Sequence, residues 1–352
     1  MCTGERDRLL RAIANIISDY GFIEFGESTP AHVNRWVNQF DADCQLPILQ
    51  EINHIFSNWY FSRQRITDFL SGLARTERLT GPDHEAYWRA AHFLDIQVRG
   101  GSQTAMLELF GSILREEFQI DTNQCGTVGG HYIYIDDFIF SGTRVVTDLR
   151  PWIERIAPPN AIINIIVLGY STYGQYSVNN RLQEAIRTSG KTIRLNWWRC
   201  LEIENRARYS SNSEVLWPSH IPEDPGALAY FALSQNGRYP WQCRTAGRMN
   251  NNKVFSSEAA RDTLEQQFLT AGLRIRGFCQ NPQDILKPLG FQGFPSLGFG
   301  AMVATYRNCP NNCPLALWWG SPNAAPTHPF HHWYPLLPRQ TYENQHPTDI
   351  EF

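Results

Sequence analysis

The residues best suited to chemistry stand together in HYIYIDDFIFSGTRVVT, residues 131–147. Asp136 and Asp137 are consecutive carboxylates behind the apolar run Tyr132 to Ile135, and Ser141, Gly142 and Thr143 follow in a short polar loop. The order is strand, acidic pair, small-residue loop, helix start. A buried parallel strand carries side chains to the carboxyl edge of a sheet, where open α/β folds bind ligands. The N–H groups and positive dipole end of the next helix suit a phosphate. Two carboxylates would repel that phosphate, so they suit sugar hydroxyls or a metal ion beside it. The alternative is that they only stabilise a turn or a helix start.

Positioning these groups requires a sheet. Upstream, FLDIQV (93–98) predicts a short strand, and Arg99, Gly100, Gly101 and Ser102 join it to the helical pattern AMLELFGSILREEF. Adjacent glycines let backbone N–H groups turn toward an anion, and Arg99 adds a charged fork. Such turns also join strands to helices with no ligand. Downstream, Val145, Val146, Leu149, Trp152, Ile153 and Ile156 recur with a helical period, and Pro151 predicts a kink or two abutting pieces. AIINIIVL (161–168) predicts a third strand, GYSTYGQ a polar loop, 178–187 a helix and TIRLNWW a fourth strand. Strands alternating with helices imply a parallel sheet covered on both faces. Right-handed crossovers place the loops after the strands on one edge, so Arg99–Ser102, Asp136–Arg144 and Gly169–Tyr173 should converge. Tyr170, Ser171 and Tyr173 are candidates for the far wall of that pocket, or simply a loop.

The flanks differ in texture. Residues 5–19 put Leu9, Leu10, Ile13, Ile16 and Ile17 on one helical face with Gly21 as a stop, and 30–40, 46–57 and 62–74 are also predicted helices. Together 1–85 form a helical, winged-helix-like module, able to touch DNA or a partner protein. Its Arg63, Arg65, Arg75 and Arg78 supply positive charge or merely a solvated face. Residues 86–204 form the α/β core. Residues 205–352 form an irregular extension rich in Pro, Gly and aromatic residues, with one marked helix at 256–272 capped by serine and stopped by Gly272.

The net charge of −3 supplies no global basic field for nucleic acid. No apolar run reaches the roughly 18 residues of a membrane span, and the first residues lack the apolar stretch of a signal peptide, so a cytoplasmic location is expected. The eight cysteines are scattered, which fits reduced thiols. Cys309 and Cys313, upstream of His328, His331 and His332, form the one cluster able to hold zinc. A tight Pro/Asn turn with two buried thiols explains the same spacing, and no metal ligand is assigned.

YIYIDDFIFSGTR resembles the ribose-phosphate loop of type I phosphoribosyltransferases, and the likeness spans roughly residues 90–200. It implies a type I phosphoribosyltransferase-like parallel sheet flanked by helices. It implies further that Asp136 and Asp137 hold the 2′ and 3′ hydroxyls of 5-phosphoribosyl 1-diphosphate (PRPP), while Phe140, Ser141, Gly142, Thr143 and Arg144 cradle its 5′-phosphate. Arg99, Gly100, Gly101 and Ser102 resemble the family's pyrophosphate loop, with Mg²⁺ as the implied cofactor. Arg144 stands where most transferases have Thr or Ser, and Phe140 where a small or hydroxylic residue is common. Arg144 therefore implies either reinforced phosphate binding or a different ligand.

A wider likeness takes in DDFIFSGT, LEQQFLTAGLRIRGF, the LGFG run and YRNCPNNCPLALWW, which resemble phosphoribosyltransferase-like proteins of bacterial anti-phage conflict systems. That resemblance implies a toxin-like effector of nucleotide metabolism. Its implied partners are a retron reverse transcriptase with its RNA/DNA or another defence component, and a homo-oligomer is compatible. If catalytic, the reaction would be displacement at C1 of the phosphoribosyl donor, driven by positioning and charge stabilisation, with no general base evident. Two rivals are a non-catalytic PRPP or nucleotide sensor, as in the purine repressor of Gram-positive bacteria, and an interaction protein whose fold has lost its ligand. A melting-temperature shift with Mg²⁺ and PRPP separates the third from the first two, and diphosphate release separates those.

Overall fold

A computed structural model describes residues 2–21, 28–98, 101–236, 240–247 and 254–339. In chain order its elements are α1 (Cys2–Ile16), α2 (Pro30–Val37), α3 (Ala42–Trp59), β1 (Tyr60–Phe61), α4 (Arg63–Ala74), α5 (Glu77–Thr80), α6 (His84–Ala90) and β2 (His92–Phe93). Then come α7 (Ser102–Phe118), β3 (Tyr132–Ile139), α8 (Thr143–Arg155), β4 (Asn160–Ser171), α9 (Thr172–Ser189), β5 (Thr192–Trp198) and β6 (Leu201–Ile203). The last are α10 (Pro225–Ser234), α11 (Glu258–Arg276), β7 (Ala304–Thr305) and α12 (Leu315–Trp318).

The chain divides into two compact units, one formed by Met1–Arg63 with Arg206–Phe352, the other by Gln64–Asn205. Residues 64–85 thus group with the sheet, whereas the sequence division places them with the N-terminal helices. In the first unit α3 packs on α1, α2 and α11. Trp36 is fully buried and donates its indole N–H to the Ala316 carbonyl at 2.8 Å. Phe40 stacks on Phe268 with centroids 5.6 Å apart and meets Trp333 edge-on. β1 and β7 pair in parallel, Tyr60 opposite Ala304.

The second unit is built on a parallel sheet in the order β2-β3-β4-β5, with β6 pairing the end of β4. Helices lie against it, giving the mixed α/β architecture of a phosphoribosyltransferase-like fold. One face is apolar for a plain reason. Tyr134 and the alternate residues Ile163, Ile165 and Val167 meet Val145, Leu149, Trp152 and Ile153 of α8 and Val178, Leu182 and Ile186 of α9. The next residue round, Asn164, points to the other face and is fully buried. Its side chain donates to the Tyr87 hydroxyl at 3.0 Å and accepts from Asn196 and Trp198, each at 3.0 Å, so its burial is compensated.

Several expectations shift. β4 runs to Ser171 and α9 starts at Thr172, so GYSTYGQ is a strand end and a helix start rather than a loop. β6 supplies the reason, pairing Gly169, Tyr170 and Ser171 with Leu201, Glu202 and Ile203. α8 continues through Pro151 as one helix. α11 continues through Gly272 to a cap at Gly277. Gly272 instead permits close approach, because a Cβ there would lie 2.3 Å from the Pro288 carbonyl oxygen.

Cys309 and Cys313 are fully buried, and Cys313 donates to the Val303 carbonyl at 3.2 Å. Among the described residues no group of three His, Cys, Asp or Glu side chains is placed to hold a metal ion. No described helix is long and apolar enough to cross a membrane.

Candidate functional site

β3 carries the acidic pair, but the pair is not beyond its end. Asp136 lies opposite Val167, and the strand continues to Ile139 because Gly169 and Tyr170 of the lengthened β4 pair with Phe138 and Ile139. Asp136 is 2% exposed and Asp137 is half-buried. Asp136 Oδ1 accepts the Asp137 N–H at 2.9 Å, and Asp137 Oδ1 accepts the Phe138 N–H at 2.6 Å. Burial, and next the Asp137 charge, push the Asp136 carboxyl up to about 7, against hydrogen bonds from Ser102 and the Asp137 N–H and the attraction of Arg144. Asp136 is therefore a buried carboxyl that holds its proton more tightly than an ordinary carboxylate, which makes it a candidate to receive hydroxyl donors or a cation.

The loop after β3 reaches α8 through Gly142. Its φ is +74°, in the left-handed region, and a Cβ there would lie 2.1 Å from Val178 Cγ2. Gly142 occupies the N-cap position of α8 with no side chain to close it, while the Thr143 N–H reaches only weakly to Ser141 Oγ at 3.4 Å. Ser141, Thr143 and Arg144 are exposed, and Phe140 is buried and stacked on Phe138.

Ser102 joins the first turn to the acids. Its hydroxyl accepts from Arg144 Nη1 at 3.1 Å and from Gln97 Nε2 at 3.2 Å, and it donates to Asp136. Ser102 is thus brought to the Asp136–Arg144 segment, with Gly101 before it as the N-cap of α7. Arg99 and Gly100, the other half of that turn, lie outside the described residues. Arg144 bridges the starts of α7 and α8 in this structure, and its guanidinium lies among Asp136, Asp148 and Tyr134.

The third segment behaves differently. Tyr170 is buried, donating to Glu202 at 3.2 Å beneath Arg199, and burial chiefly raises its phenol to about 12. Ser171 is fully buried and donates to the Phe140 carbonyl at 2.7 Å while accepting the Gly174 N–H at 3.0 Å. Asn205 accepts the Tyr173 N–H at 3.1 Å. The N-terminus of α9 is therefore closed by its own neighbours, and of the three proposed wall residues only Tyr173 is exposed, at 50%.

Sequence reasoning passed over Gln97 and Asp148. Gln97 Oε1 accepts the Gln103 N–H at 3.1 Å. Asp148 is 3% exposed on α8 and receives Val98 N–H and Tyr134 O–H at 3.1 and 3.0 Å. Its signal was available, since a carboxylate sits inside the apolar stripe that runs from Val145 through Leu149 to Trp152.

The pattern of the PRTase-CE family matches residues 33–339, most of the chain and both compact units. The chain belongs to the PRTase-CE family. It is a phosphoribosyltransferase-like protein. No curated protein and no solved structure matches it significantly. In this PRTase-CE chain β3, the Gly142 turn and the start of α7 bring Asp136, Arg144 and Ser102 together.

Proposed function

We propose that residues 64–205 bind PRPP, or a nucleotide sharing its phosphorylated ribose, and that the chain acts on it as a phosphoribosyltransferase-like effector of a bacterial anti-phage system. One observation carries the ligand: a buried carboxyl raised to about 7 adjoins a helix whose N-cap is a left-handed glycine with no capping side chain. Hydroxyl donors from a ribose would relieve the first, and a 5′-phosphate would satisfy the second. Asp136 and Asp137 accept the two hydroxyls, Ser141 to Arg144 surround the phosphate, and Gly101 and Ser102 face the diphosphate. The effector role rests on the sequence likeness of DDFIFSGT, LEQQFLTAGLRIRGF and YRNCPNNCPLALWW to proteins of conflict systems. A cytoplasmic location and association with a retron reverse transcriptase or a like partner belong to the same reading.

Mg²⁺ fits this donor set in a particular way. Both Asp148 oxygens are engaged, and among the described residues no cluster offers three acidic or His/Cys ligands, so those residues supply no full cage. A Mg²⁺ that keeps most of its waters and binds mainly through phosphate oxygens suits that arrangement, with Asp136 and Asp137 as the carboxylates on its sugar side. When bound, it would neutralise the diphosphate leaving group. The chain's own part is to hold the ribose by two acids and to fix the phosphate at α8.

The test is a melting curve of the purified chain with Mg²⁺ and PRPP at millimolar concentration. A rise in melting temperature that is lost in Asp136→Asn/Asp137→Asn supports the site, whereas no rise would sink it. Diphosphate release in the presence of a cellular extract then marks an enzyme, and binding without release marks a sensor. Loss of toxicity in the double variant, expressed in bacteria, supports the effector role; unchanged toxicity counts against it.

A further inference from the structure

Asp148 is a buried carboxylate that the ribose and phosphate contacts do not use, and both of its oxygens are committed. Oδ1 receives the backbone N–H of Val98 at 3.1 Å, and Oδ2 receives the Tyr134 hydroxyl at 3.0 Å. Val98 ends the described stem that leads from β2 toward α7, while Tyr134 lies on β3 two residues before Asp136. Asp148 itself sits on α8, four residues after Arg144. One side chain therefore ties together the three elements that carry the diphosphate turn, the ribose acids and the phosphate cradle.

The stem has a second tie of the same kind. Gln97, the neighbour of Val98, accepts the Gln103 N–H and donates to Ser102 Oγ, while Gln103 Oε1 accepts the Ile96 N–H at 2.9 Å. The stem is thus fixed to the first turn of α7 by Gln97 and Gln103, and to α8 by Asp148. Val98 makes no such tie by packing, because 63% of it is exposed. Its backbone N–H is held by Asp148, a charged acceptor. Burial raises the Asp148 carboxyl, so keeping an acid there costs stability that an apolar residue on this stripe would not.

We infer that Asp148 is a positioning residue for the diphosphate end of the ligand: it sets the stem of the first turn against α8, so that Gly101 and Ser102 stand at a fixed distance from the phosphate held at Gly142. This rests on the phosphoribosyl reading above. Asp148 touches no ligand atom; it acts through the Val98 backbone. Its consequence is selective. A ligand with both a 5′-phosphate and a 1-diphosphate needs the two ends in register, whereas ribose 5-phosphate needs only one.

The experiment compares Mg²⁺-PRPP with ribose 5-phosphate by calorimetry on the whole chain, in wild type, Asp148→Ala and Asp148→Asn. The expected result is that Asp148→Ala weakens PRPP by about tenfold or more and ribose 5-phosphate by less than about twofold. Asp148→Asn should recover most of the loss, because its amide oxygen still accepts the Val98 N–H. Equal loss for both ligands, or none for either, would overturn the inference. If Asp148→Ala does not fold, Asp148→Leu, which removes both acceptors but suits the apolar stripe, and Tyr134→Phe, which frees only the β3 side of the tie, decide. PRPP binding that stays tighter in Tyr134→Phe than in Asp148→Leu supports the stem contact as the one that matters, and the reverse order refutes it. A wild type that binds neither ligand refutes the phosphoribosyl reading and this inference with it, an outcome distinct from a wild type that binds both while the variants match it.

Discussion

α8 and α9 follow neighbouring parallel strands and start at the same edge of the sheet, yet their N-termini are finished in opposite ways. α8 begins at Gly142, which has no side chain, in a left-handed conformation. α9 begins at Ser171, whose hydroxyl caps Gly174 N–H, while Asn205 takes the next open N–H at Tyr173. Both segments are small and polar, SGTR in one and STYG in the other. A helix start becomes a candidate anion site when the chain declines to cap it, and composition alone does not reveal which start that is.

The contrast can be broken most forcefully at the acids beside α8. Asp136→Asn/Asp137→Asn should reduce PRPP affinity by more than about 100-fold, since paired carboxylate acceptors are replaced by amides. Calorimetry measures this. The same variant should melt higher than wild type without ligand at pH 8, because the buried Asp136 charge and its like-charged neighbour are gone. Next, Gly142→Ala forces a Cβ into the left-handed region and against Val178, at a cost of roughly 2–4 kcal/mol by chemical denaturation and with loss of phosphate binding.

Acidity offers a gentler lever. Ligand affinity should fall about tenfold per unit below pH 7 as Asp136 takes up a proton. The stability of the unliganded chain should move the opposite way. The native carboxyl binds its proton more tightly than the unfolded one, so this contribution is complete below about pH 4 and is lost as pH rises to about 7. Melting curves from pH 4 to 8, compared between wild type and Asp136→Asn, isolate it.

On the α9 side effects should be small. Ser171→Ala removes a cap and the bond to the Phe140 carbonyl, costing about 1–2 kcal/mol in stability and only a few-fold in affinity. Asn205→Ala should cost under about 1 kcal/mol and leave affinity unchanged. A large affinity loss in Asn205→Ala would put ligand at α9 and erase the distinction.

The core of this arrangement was legible because its elements have strong local signatures. TIRLNWW forms the strand its apolar content indicates, and the acids, the glycine turn and the helix after them follow in the expected order. What escaped was set by distant partners. GYSTYGQ carries turn-forming residues, yet β6 draws it into the sheet, and Gly169 is needed there because a Cβ would lie 2.5 Å from the Phe138 ring. Gly272 carries the mark of a helix end but serves close approach to Pro288. Asp148 was visible as an acid on an apolar stripe, but its two donors come from other elements. The first three helices show their apolar faces in sequence, but not that α11 and the residues around Trp333 lie against them.

That last pairing bears on how the chain is made. Because residues 64–205 interrupt the other unit, they leave the ribosome while α1–α3 still lack their partners, and synthesis favours folding the inner unit first. Trp36 and Phe40 wait for Ala316, Phe268 and Trp333, all translated later. A message that stops soon after codon 205 would therefore yield a sheet able to close and three helices with an apolar face on show, a natural substrate for chaperones and proteases.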